Sequence, residues 1–229
     1  RVVAKKWGDL KLTGDFTGTA GAINVSNLAG IDAVLNIESG TYALGTNRFY
    51  VGNATTTPAT GTVNQSGGAV TFSGAGDGLL MGNGNIANTG NYNLSGGSIT
   101  TGLSSSNRGI IIGTNSFALA KFTLSGTGEL NMTVGTGGTD TSILQIGRYD
   151  AAANSTTAEF SQTDGTANVA ILSIGGNGGT GTGIISKLSL TGGTFVAKTF
   201  PRLAAGNTNT AEITIGGTAN VTLPFFPTA

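Results

Sequence analysis

Eleven carboxylates are the groups in this chain best suited to chemistry: Asp9, Asp15, Asp32, Glu38, Asp77, Glu129, Asp140, Asp150, Glu159, Asp164 and Glu212. Two of them held a few ångströms apart would supply the acid and base of glycoside hydrolysis. Acids beside a basic residue could instead hold a cation for lyase chemistry. The chain has 0 His and 0 Cys, which removes the usual neutral-pH base and the thiolate nucleophile. One stretch, "GAGDGLLMG" (74–82), echoes a calcium-binding nonapeptide repeat. It occurs once, whereas stacked calcium turns need neighbours, so it reads as a turn. "GNGNIANTG" and "GGNGGTGTG" are glycine-rich but lack the Lys-Ser/Thr of a phosphate loop and a following helix. Whether any carboxylates converge depends on the elements that carry them.

Those elements repeat. "VLNIESGTYAL" (34–44), "TVNQSGGAVTF" (62–72), "NYNLSGGSITTG" (91–102), "KFTLSGTGELNM" (121–132), "EFSQTDGTANV" (159–169), "KLSLTGGTFVA" (187–197) and "EITIGGTANVTL" (212–223) share one sub-pattern. Their first apolar residues are Leu35, Val63, Tyr92, Phe122, Phe160, Leu188 and Ile213, at spacings by subtraction of 28, 29, 30, 38, 28 and 25. Leu10 extends the series backward. A second signature, an apolar run ending in glycine, closes most copies at Gly52, Gly82, Gly113, Gly147 and Gly175. Each copy reads as three short strands with alternate residues inward, such as Leu35/Ile37, Tyr42/Leu44 and Phe49/Val51. A single copy cannot bury so few apolar groups, whereas stacked copies share one core.

The expected fold is therefore all-β: a single-stranded parallel β-solenoid of about seven to eight coils, roughly 30 residues and three strands each. It forms one domain over 1–229, with end segments at 1–9 and 224–229 and stacked repeats over 10–223. A Greek-key sandwich of short strands would also alternate, but it does not explain the common period. The residues between inward pairs of the first strand are Asn36, Asn64, Asn93, Thr123, Ser161, Ser189 and Thr214, all polar as an outer face requires. One position earlier, Lys121, Glu159, Lys187 and Glu212 predict a ladder of alternating charge. Gln65 and Gln162 fall at inward positions and are expected as core amides bonding along the stack. The Gly-Gly pairs are corners between faces rather than hairpin turns. On this frame the acids scatter over different sub-positions and form no cluster, so no catalytic residue, metal site or cofactor is expected.

The "LSGG-x-[VIF]" copies with a following "[LI]-x-[IM]-G" resemble the autotransporter-associated β-strand repeats of large bacterial surface and secreted proteins. That resemblance spans about Leu10 to Leu223. It implies a right-handed parallel β-helix displayed outside the cell, often as one section of a longer polypeptide. The start "RVVAKKWGDL" reads as internal or processed, which gives the expectation of a leader already removed. Balanced charge, 11 basic against 11 acidic residues, gives no electrostatic case for nucleic acid or anionic membranes. No apolar run approaches the ~20 residues of a membrane helix.

The ends are the informative part. A solenoid exposes core and unpaired backbone at both edges unless these are capped. Val2, Val3 and Trp7 at the start, and Phe225 and Phe226 between prolines at the finish, are the expected assembly contacts of a structural subunit that stacks on copies of itself. A second expectation is an adhesin or passenger module whose loops, 133–142 and 148–157, carry glycan or host contacts. Its candidate residues are Tyr50, Asp140, Arg148, Tyr149 and Asp150. A polysaccharide-processing enzyme is the third and least supported expectation.

Overall fold

The computed structural model describes residues 3–4, 10–17, 22–26, 30–74, 78–84, 86–103, 108–115, 117–132, 142–148, 155–175, 182–203 and 208–224. Among these there is no helix, and every strand pairing is parallel. The chain winds as a β-solenoid with three faces.

The first face is an eight-stranded sheet of Leu10–Leu12, Ala33–Ile37, Thr60–Gln65, Thr89–Leu94, Leu119–Leu124, Thr157–Gln162, Ile185–Leu190 and Thr210–Ile215. The second face holds Phe16–Thr17, Thr41–Gly45, Ala69–Gly74, Ser98–Leu103, Glu129–Met132 and Asn220–Thr222. The third holds Val3–Ala4, Ile23–Val25, Phe49–Val51, Leu79–Met81, Arg108–Ile112 and Ser142–Ile146. Two strands, Thr166–Ile174 and Thr194–Leu203, run through the second face and on into the third.

These two long strands revise the expectation of three separate strands in every coil. Only Ala170 and Ile171 stand between the inward residues Val169 and Leu172, so the chain turns the corner without leaving the ladder. The corner shows as adjacent buried residues, Val169 and Ala170, in an otherwise alternating strand. The coil count is also smaller than expected, at about six full turns. The first turn is built of two- and three-residue strands, and among the described residues the last holds the strands Thr210–Ile215 and Asn220–Thr222.

Register explains why the period is legible. Leu35, Val63, Tyr92, Phe122, Phe160, Leu188 and Ile213 are successive partners in one column. Tyr42, Val70, Ile99, Leu130, Ala167, Phe195 and Val221 form another on the second face. Their inward members belong to one continuous apolar cluster. Rings fill the middle of it. Tyr92, Phe122 and Phe160 stack with centroids 5.3 and 5.4 Å apart, and Phe49 and Phe195 close the row edge-on at 6.0 and 5.9 Å.

The corners need glycine for two reasons. Gly97 sits at φ +72°, where a side chain is strained. A Cβ on Gly96 or Gly97 would also strike a backbone carbonyl oxygen of the coil before, that of Ser66 or Gly68. The Gly-Gly pair is thus a corner over which successive coils touch main chain to main chain.

Candidate assembly edges and outer faces

Polar groups inside the solenoid hold the coils in register. Gln65 is fully buried, and its Nε2 donates to the carbonyls of Gly68, at its own corner, and Ser98, on the next coil, at 3.1 and 3.0 Å. Gln162 makes the equivalent bonds to Gly165 and Thr194, both at 3.1 Å. These amides bond along the stack as expected. They differ at the other end: the Tyr92 phenol donates to Gln65 Oε1 at 2.6 Å, whereas Gln162 Oε1 has no hydrogen-bond partner. Leu188 stands in the rung where a matching phenol would be. Burial holds the Tyr92 hydroxyl far above the ordinary phenol range, so it remains a donor.

The outer surface of the first face carries the expected ladders. Asn64 donates to Asn36 at 3.0 Å and Asn93 to Asn64 at 2.9 Å. Further along, Lys121 pairs with Glu159 at 2.9 Å and Lys187 with Glu212 at 3.5 Å, and Glu159 and Lys187 are register partners. All four side chains are partly exposed, so each pair contributes about 0–1 kcal/mol and acts mainly on register. Two open depressions lie among these residues, one beside Leu119 and Lys121 and one between Lys187 and Glu212. Their lining mixes Leu119, Ala120 and Leu188 with small polar residues and charges already paired. Among the described residues there is no group of three or more acids that could hold a metal ion.

The third face differs in a way the sequence reading did not anticipate. Leu80, Ile111, Gln145 and Ser173 occupy successive positions of its outward column, yet all are buried. The signal was available: "LLM" and "III" are unbroken apolar runs rather than alternating ones. Such runs mark strands covered on both sides.

The candidate residues divide. Val2, Trp7, Phe225, Phe226, Asp140, Tyr149 and Asp150 lie outside the described residues, as do most of the loops at 133–142 and 148–157. Val3 lies in the edge strand Val3–Ala4, paired with Asn24. Tyr50 is half-buried, its hydroxyl accepting from Arg48 Nη1 at 3.0 Å. Arg148 follows the third-face strand three rungs further on, its amide donating to Gly113 at 3.0 Å. At ~4.8 Å per rung, Tyr50 and Arg148 belong to no common site.

The edges carry the clearest anomaly. Interior members of the inward columns are almost wholly buried. At the C-terminal edge Ile213, Val221 and Leu223 are only partly buried, while Ile215 and Leu203 are 51% and 48% exposed. At the N-terminal edge Leu10, Leu12 and Phe16 are likewise partly buried. Compared with protein-family models, curated proteins and solved structures, the chain matches none of them.

Proposed function

We propose that this chain is a structural protein acting outside the cell, a stiff solenoid subunit that stacks end to end into a filament or surface layer. The observation that carries the reading is the incompletely buried core at both edges. Ile215 and Leu203 end columns whose interior members, such as Leu190 and Ile174, are fully buried. Stacking a further coil on each edge buries this apolar surface and extends the backbone ladders of the edge strands. The extracellular setting rests on the motif resemblance to bacterial surface repeats.

The test is electron microscopy of the 229-residue chain over a dilution series, beside Ile215→Lys. The expected result is rods that lengthen with concentration in the parent and stay one subunit long in the variant. Single rods of the parent at every concentration would overturn the reading and favour an adhesin or passenger segment whose edges continue into flanking coils.

A further inference from the structure

We propose that the two edges dock in one register and one polarity, the C-terminal edge of one copy on the N-terminal edge of the next. The inference rests on the assembly reading above and specifies its junction. On the first face, Thr210–Ile215 pairs in parallel with Leu10–Leu12 of the second copy, so that Ile213 meets Leu10, Thr214 meets Lys11 and Ile215 meets Leu12. On the second face, Asn220–Thr222 pairs with Phe16–Thr17, bringing Val221 to Phe16.

Three observations select this arrangement. First, the columns match in kind. Leu10 and Ile213 are the two ends of a single register column, as are Leu12 and Ile215, and Phe16 and Val221. Each residue therefore meets an apolar partner, the type that most interior rungs of its column supply.

Second, the winding stays in phase. A coil runs through first, second and third faces in order. The described chain begins with a third-face strand, Val3–Ala4, and ends with a second-face strand, Asn220–Thr222. The second copy's Val3–Ala4 falls at the third-face position of the last coil, where the described residues of the first copy carry no strand. Carried along the third-face register, Ala4 falls in the same column as Leu203, the residue left 48% exposed there.

Third, the charges agree. The C-terminal edge presents Glu212 and the N-terminal edge Lys11. Lys11 Nζ already reaches Glu38 Oε1 at 2.8 Å, although Glu38 lies two positions beyond Lys11's register partner Asn36. In the proposed junction Glu212 lies two positions before Lys11's new partner Thr214, within the same side-chain reach. Head-to-head contact would instead set like edges together and break the parallel ladder.

The absence of cysteine makes the register directly testable. Lys11→Cys and Thr214→Cys sit on exposed outward positions and would face each other across adjacent strands, within the Cα separation a disulfide accepts. The double variant, oxidised mildly, is expected to give a reducible series of dimers, trimers and longer species on a denaturing gel. Mixing the two single variants should stop at a dimer. The shifted pair Lys11→Cys with Glu212→Cys should cross-link at least tenfold less. Equal cross-linking of the shifted pair, or a dimer from Thr214→Cys alone, would overturn the proposed register or polarity while rods seen by microscopy left the assembly reading standing. Absence of any species above one subunit, by microscopy for the parent and on the gel for the cysteine variants, would overturn both.

Discussion

Tyr92 and Gln65 are the pair of residues on which the interior chemistry turns. Tyr92→Phe removes the donor to a fully buried carbonyl and leaves Gln65 Oε1 unsatisfied, at a cost of about 1–3 kcal/mol in denaturant unfolding. Gln65→Leu and Gln162→Leu each delete two bonds to backbone carbonyls, but only the first also strands a phenol. Gln65→Leu is therefore expected to destabilise more than Gln162→Leu, by about 1 kcal/mol or more. Equal losses would show that the phenol bond contributes nothing. The same phenol sets the alkaline limit. Its folded pKa is raised above the unfolded value of ~10 by burial, so its contribution is complete below pH ~10 and falls as pH rises beyond that. Unfolding free energy measured from pH 8 to 11.5 should decline above pH 10 in the parent and less steeply in Tyr92→Phe.

At the scale of the element, corners and ladders make separate demands. Gly97→Ala places a side chain at φ +72° and against the Gly68 carbonyl, so it should cost about 2 kcal/mol or more. Chemical denaturation checks this; a loss under 0.5 kcal/mol would contradict the close main-chain contact. Glu159→Lys sets three cations in successive rungs, with Lys121 before and Lys187 after. The expected loss is about 1 kcal/mol in low salt, shrinking in 1 M salt where screening acts within ~3 Å. Here the sequence was most legible. Inward pairs such as Tyr92/Leu94 and Leu144/Ile146, the polar column from Asn36 to Ser189, and the charge ladder could all be placed because the side-chain period of a strand is two and the coil period is nearly constant. The fusion of strands at Val169–Leu172 was not legible, because a corner two residues long leaves no turn signal. Nor was the covered outer side of the third face read from "LLM" and "III", since an apolar triplet also fits an ordinary inward strand.

For the whole molecule, each coil touches only its neighbours, so the cost of a core substitution depends on its place along the rod. Phe122→Ala, in the middle of the ring stack, is expected to cost about 3–5 kcal/mol, whereas Ile213→Ala in the partly exposed last coil should cost well under half of that. The candidate edges were found in the sequence as ends rather than as residues. Trp7, Phe225 and Phe226 stand out as large apolar groups, while Ile215 and Leu203 sit in repeats and look like any other inward position until their exposure in the structure is seen. The measurement that bears most directly on end-to-end stacking is small-angle X-ray scattering of the parent chain over a hundredfold concentration range. Stacking predicts that the cross-sectional radius of gyration stays constant while particle length grows in multiples of one subunit. A constant length, or a cross-section that widens as mass increases, would contradict it.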